Sequence, residues 1–290
     1  MNPQPGLRFT RFTAWLLTRS LLLLAVLITF IPFMWLVAAS FKSNEEFFRS
    51  TFLPMREGSW AVDWSRLTFD AYKRLFVEVD FGRGLINSIF LSSVTGVLAT
   101  LCCAMGGYAL ARFNFKGRGF CTALVLAAVL IPGPLLLAPG YQLLYNLGLL
   151  DSFAGLILPA IAPAFGVFLF RQAVLSGVPT DLLEAARIDG AGEWRTFMVV
   201  VLPLVRPMIG TFLMITFLGV WNNFIGPQVV LQSPDKFPLS VAVAELKRGY
   251  YSDYGLQMAG TVVSILPVMI LFLLMQKDFV SGLAAGAVKG

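Results

Sequence analysis

The chain has no histidine, only three cysteines and, over 290 residues, just 13% charged side chains. Each shortage removes a class of chemistry. Without histidine there is no Ser–His nucleophile pair, so a hydrolase of that type is excluded. Cys102, Cys103 and Cys121 all lie inside apolar segments. Their spacing matches neither a disulfide framework nor a metal site, and packing is their expected role. No Gly-Lys dipeptide occurs. A phosphate-cradling loop ending in Gly-Lys-Ser/Thr is therefore absent, and the chain is not expected to hold ATP in that manner. A net charge of +6 would suit nucleic acid, but no basic cluster or basic helix is present to meet phosphates.

What the chain does have is apolar length. Hydrophobic residues make up 57% of it and mean hydropathy is +0.77, far from the roughly one-quarter charged composition of soluble domains. A bilayer core about 30 Å thick needs roughly 20 apolar residues per helix. Six stretches qualify, at about 20–40, 85–111, 120–146, 153–171, 207–232 and 255–276. The expected fold is all-α: one polytopic membrane domain over residues 1–290 with six transmembrane helices in a lipid bilayer. Pro132, Pro134, Pro159, Pro163 and Pro267 fall inside these stretches, as membrane helices tolerate. Arg8, Arg11 and Arg19 before the first stretch and Val37-Ala38-Ala39-Ser40 after it resemble a signal peptide. The apolar run is longer than the 7–15 residues typical of such a region, so an uncleaved first helix is expected.

None of the six stretches carries an ionisable residue near its centre. Proton relays and coupled pumps need such groups at membrane depth, so a proton-driven carrier is disfavoured. A sodium site built from carbonyls would escape this test. An intramembrane enzyme using paired aspartates is excluded, and the chain is not expected to be an enzyme.

Charges between the stretches set the orientation. The N-terminal tail, the loops after the second and fourth stretches and the C-terminal tail together carry a net +7, and the alternate segments −1, which accounts for the overall +6. Excess Lys and Arg mark the cytoplasmic side. Both termini are expected in the cytoplasm.

The most informative of these loops spans about 176–205, beginning Val178-Pro179-Thr180-Asp181-Leu182-Leu183-Glu184-Ala185-Ala186-Arg187-Ile188-Asp189-Gly190. Asp181 with Glu184 three residues later has the form of a capping box. Gly190 supplies a stop. A two-turn helix is predicted, with Leu182, Leu183 and Ala186 on one face. Its small Ala185–Ala186 pair would let a partner's groove approach closely. The alternative is an ordinary interfacial loop.

The stretch Glu184 to Pro203, EAARIDGAGEWRTFMVVVLP, resembles the EAA loop of ABC importer permeases. The likeness runs over essentially the whole chain and is greatest to the maltose-type carbohydrate permease subunits. It includes Leu150-Asp151-Ser152-Phe153-Ala154-Gly155-Leu156, Phe168-Leu169-Phe170-Arg171-Gln172, Trp221-Asn222-Asn223-Phe224 and Phe279-Val280-Ser281-Gly282-Leu283. The resemblance implies the type I importer permease fold and a heteromeric complex. Its partners would be a second homologous permease, a cytoplasmic ABC ATPase dimer that binds the ATP and Mg, and an external or periplasmic solute-binding protein. This chain itself would hold no cofactor and no metal. The implied coupling residues are Asp181, Glu184, Ala185, Ala186, Asp189 and Gly190. The Gly-rich tail Gly282–Gly290 would reach toward the ATPases or simply fray.

A sugar offers hydroxyls and apolar ring faces, so its path should combine aromatic rings with amides. Trp221, Asn222, Asn223 and Phe224 fit that description, with Asn87 as a further candidate. Helix–helix hydrogen bonding is the alternative role for these amides. Tyr141, Gln142, Tyr145 and Asn146 read as an interfacial belt. Tyr250, Tyr251 and Tyr254, beside Lys247 and Arg248, stand either at a binding-protein contact or at the membrane interface. A permease for a phosphate ester would need cations along the path. A sodium-coupled carrier would transport as a single chain and ignore nucleotide. A membrane scaffold would show no transport.

Overall fold

Pro and Gly divide an almost wholly helical chain into short and long helices. The computed structural model describes residues 5–56, 58–249 and 253–287, with side chains described between 14 and 276. In chain order the helices are α1 (Pro5–Ser40), α2 (Asn44–Arg49), α3 (Asp70–Val77), α4 (Phe81–Arg112), α5 (Arg118–Val129), α6 (Leu137–Asn146), α7 (Phe153–Ile157) and α8 (Ala164–Gly177). They continue as α9 (Thr180–Ile188), α10 (Glu193–Thr196), α11 (Leu202–Leu204), α12 (Arg206–Trp221), α13 (Ile225–Val230), α14 (Leu239–Gly249) and α15 (Tyr254–Ala287). A π-helical turn, Phe197–Val201, joins α10 to α11.

Three helices are each long and apolar enough to cross a membrane: α1, α4 and α15. Three further helix pairs are apolar enough only when taken together and are bent at a break, so the described residues hold three to six candidate spans. Arg118–Val129 meets Gly133–Asn146 at 100°, Phe153–Ala160 meets Ala164–Gly177 at 40°, and Glu193–Leu204 meets Arg206–Trp221 at 82°. The first two bends fall at Pro132 and Pro163, which themselves take extended backbone (ψ 125° and 132°) just before the following helical turn.

The stretch expected as one span at about 207–232 is divided in the structure. α12 ends at Trp221, and the chain reforms as the short α13 only at Ile225. The apolar run continues, but the hydrogen-bond ladder does not. Asn222 Nδ2 turns back to Leu218 O (2.9 Å), and Asn223 Oδ1 accepts from Gly226 N–H (3.1 Å), which starts the next helix.

The described residues form two compact units. The first comprises Met1–Val79 and Leu246–Val263. In it α1 presents large apolar side chains on every side, with none of its hydrophobic window covered by protein, as expected for a lipid- or partner-facing helix. Beyond α1, Phe41 packs on Phe69 and Tyr72. Arg66 pairs with the buried Glu46 (2.5 Å), and Arg74 with Asp253 (2.6 Å). Lys42 is buried and donates to Ser50 O (2.6 Å); burial pushes its ammonium below the usual lysine range, against the pull of Glu46.

The second unit comprises Asp80–Glu245 and Ser264–Gly290. Its core brings α4 against α8 and α12, with Cys103, Tyr108, Phe170, Val174, Phe197, Val201 and Phe212 buried together. α4 and α8 approach closely at Gly107, where a Cβ would lie 2.6 Å from Arg171 N and from Phe170 Cβ. Only glycine fits there.

Candidate functional site

The helix predicted at the EAA segment exists as α9, with its cap two residues before the predicted one. Pro179 occupies the N-cap position and offers no side-chain acceptor, while Thr180 enters the helix. Asp181 is therefore not the N-cap, and no capping box with Glu184 forms. Asp181 sits instead in the first turn, where its charge faces the positive end of the helix dipole. The stop is as predicted. Gly190 adopts φ +77°, Gly190 N–H donates to Arg187 O (3.0 Å) and Ala191 N–H to Ala186 O (2.9 Å), the paired bonds of a Schellman ending.

α9 is rooted by one apolar side chain. Leu183 is 3% exposed and packs into the core cluster with Tyr108, Val174, Val178 and Phe197. Leu182, expected on the same face, is 45% exposed; adjacent helical residues point about 100° apart. Polar braces add to this root. Tyr108 Oη donates to Glu193 Oε2 (3.0 Å), and Arg187 Nη2 donates to Glu193 Oε1 (3.0 Å). The Arg112 guanidinium donates to Val178 O, to Val174 O (3.4 Å) and to Thr180 Oγ1 (2.9 Å). It thereby closes the end of α8 and ties it to the start of α9. Asp181, Glu184, Ala185, Ile188, Asp189 and Gly190 all remain exposed, Ile188 at 86%. Tyr108, Arg112 and Glu193 were not singled out in the sequence. Eighty-five positions separate Tyr108 from Glu193, and no local pattern links them.

The four candidate path residues after α12 separate into different roles. Trp221 is buried and stacks on Phe217 at 5.6 Å. Asn222 is spent on its own helix, and Phe224 is partly exposed. Asn223 caps α13, takes a hydrogen bond from Ser240 Oγ on its backbone O (2.8 Å) and lines a cavity against α4. Asn87 lies elsewhere: its amide donates to Asp235 O (2.9 Å) and Phe237 O (3.1 Å), which straps the 235–237 segment to the start of α4.

A second clasp holds the same segment. Asp151, at φ +52° in a conformation that Asp tolerates better than most residues, accepts from Gln232 N–H, Ser233 N–H, Ser233 Oγ and Lys236 Nζ (2.7 Å). The Lys236 ammonium, with the Ser233 hydroxyl and N–H beside it, holds the Asp151 carboxyl far below the usual carboxylate range. Among the described residues no three His, Cys, Asp or Glu side chains converge to hold a metal ion.

Tyr254 stacks on Phe47 at 4.9 Å, while Tyr250 and Tyr251 lie outside the described residues. The C-terminal tail is helical through Ala287, and 288–290 lie outside them as well.

Residues 96–283 match the family described as binding-protein-dependent transport system inner membrane components. The chain belongs to that family. Its members are membrane components of transport systems, and this permease is accordingly not an enzyme. It is 39% identical over 279 residues to the arabinooligosaccharides transport system permease protein AraQ of Halalkalibacterium halodurans, covering 96% of this chain and 97% of that protein. It is 34% identical to the diacetylchitobiose uptake system permease protein NgcG of Streptomyces coelicolor (95% and 89% covered). With the lactose transport system permease protein LacG of Rhizobium radiobacter the identity is 32% (93% and 94%). The permease fold also matches a chain from the crystal structure of a bacterial ABC transporter involved in the import of the acidic polysaccharide alginate, with TM-score 0.78, 23% identity and coverage of 96% and 99%.

Proposed function

We propose that this permease forms half of the translocation pathway of an ABC importer for an oligosaccharide, and that α9 is its coupling helix. The observation that carries the reading is the display of Glu184, Ala185 and Ala186 on a short helix whose single buried side chain, Leu183, sits in the core formed with α4 and α8. A helix held in that way moves as a rigid body with the spans behind it. The names of the relatives supply the solute class: arabinooligosaccharides, lactose and diacetylchitobiose are all neutral sugars.

The rest of the assembly follows from this division of labour. A second, homologous permease completes the pathway. A cytoplasmic ATPase dimer binds ATP and Mg and receives α9. A solute-binding protein delivers sugar from outside. The charge bias between loops places α9 and both termini in the cytoplasm, so the Asp151 clasp and the α12–α13 break lie toward the outside. Asn223 contributes to the solute path.

Glu184→Lys and Gly190→Asp test the coupling assignment. Each is expected to leave membrane insertion and assembly intact and to abolish ATP-dependent uptake in proteoliposomes carrying the complete transporter. Normal uptake by both variants would remove α9 from the coupling role.

A further inference from the structure

Beneath the 232–239 strap, the second unit encloses a cavity lined by Ser88, Ser92 and Thr95 of α4, Leu156 of α7, Asn223 and Pro227. Positions 88, 92 and 95 recur at helical spacing, so the three hydroxyl-bearing residues share one face. Ser88 Oγ already accepts the Leu239 N–H at 2.7 Å. Ser92 is different: it is 0% exposed and its Oγ has no hydrogen-bond partner. About two turns farther on, Thr100 satisfies its hydroxyl by bonding back to Gly96 O (2.7 Å). A buried hydroxyl left without a partner is costly. Ser92 Oγ can therefore pair with a donor or acceptor that enters the cavity.

The space has a definite size. The cavity volume is about 50 Å³, against roughly 10–15 Å³ for one water. A whole sugar ring does not fit, whereas a hydroxymethyl arm or a few waters do. The lining carries no charge, so a carboxylate or phosphate entering it would be buried unpaired.

We propose that this cavity is a subsite for one alcohol group of the passing solute, with Ser92 Oγ its hydrogen-bond partner and Thr95 and Asn223 flanking it. The proposal rests on the sugar-import reading and names residues that recognise part of the sugar. Water offers the same hydrogen-bonding chemistry as a sugar hydroxyl, and the test separates the two.

The complete transporter is reconstituted in proteoliposomes and assayed with arabinotriose, lactose and diacetylchitobiose. The sugar that the wild type accumulates is then compared with its monodeoxy analogues still held by the binding protein. Ser92→Ala is expected to slow uptake of the parent sugar about threefold to tenfold, as for one lost hydrogen bond. It should leave unchanged the uptake of the one analogue that lacks the matching hydroxyl. Ser92→Val, which also fills the space, should slow the parent further. Wild-type uptake of the parent by Ser92→Ala overturns the proposal. So does an equal loss across the parent and every analogue, the signature of a cavity that holds water only. A wild-type complex that accumulates none of the three sugars overturns the sugar-import reading and this subsite with it, a result plainly distinct from the other two.

Discussion

At the α9 end of the second unit, one leucine enters the core, a tyrosine and an arginine grip the same glutamate, and Arg112 binds three acceptors across the α8–α9 junction. At the other end, α12 stops at Trp221, the Asn222 amide folds back on its own chain, and a small cavity is lined by an unpartnered serine hydroxyl. Both ends use helix termini and polar side chains, with different results. Where an external push is proposed to arrive, the Glu193 carboxylate and the two Arg112 Nη groups bridge separate segments of the chain and leave little slack. Where a solute is proposed to pass, the Asp151 and Asn87 clasps tie down the 232–237 segment, but beneath it the Asn222 amide bonds only within its own helix and the Ser92 hydroxyl is left open. A transporter driven from outside needs that asymmetry, because force must arrive undiminished while the binding end releases its cargo.

Several substitutions probe the contrast, beginning with the largest expected effect. Leu183→Ala removes the apolar root of α9 and should cost about 2–5 kcal/mol of local stability. Uptake should fall steeply while ATP hydrolysis continues, measured side by side in proteoliposomes. Gly107→Ala places a methyl against backbone atoms that cannot yield. Overpacking of about 1–3 kcal/mol is expected, read as a lower thermal midpoint of the detergent-solubilised complex. Tyr108→Phe removes one brace of Glu193, worth about 1 kcal/mol, and should loosen coupling slightly without affecting assembly.

The smallest effect under ordinary conditions concerns Asp151. Its carboxyl titrates lower in the folded chain than in the unfolded one, so the clasp contributes fully above the unfolded value of about 3.9. That contribution is lost as pH falls through the folded value. Thermal midpoints of the wild type should therefore stay flat with respect to this group between pH 8 and 5 and drop below about pH 4. Asp151→Asn should show a lower midpoint at neutral pH and a weaker acid-dependent drop.

Spans and the EAA helix were legible because they depend on local quantities. An apolar run of bilayer length and a Gly190 stop declare themselves within a few residues. Registers depending on hydrogen-bond competition were not. Apolar residues flank the Asn222–Asn223 pair on both sides, so composition alone carried the fifth span through the point where the helix ends and the Asn223 side chain accepts from Gly226 N–H. The cap of α9 moved because Pro179 already sets the entry angle and the Thr180 hydroxyl is engaged by Arg112. Asn87 was legible as a polar residue needing a partner, but that the partners are Asp235 and Phe237 depends on a contact across about 150 positions. Ser92 had no local signal at all. In a membrane sequence its type is indistinguishable from a small packing residue, and only the empty space beside it sets it apart.

The way α9 is anchored bears on how such a transporter could acquire a new motor. Since Leu183 and the Glu193 brace carry the attachment, Asp181, Glu184, Ala185, Ile188 and Asp189 contribute almost nothing to holding the bundle together. Their chemistry can be recut to suit a different ATPase without refolding the chain behind them. One membrane scaffold can in this way serve several engines, or several permeases can share one.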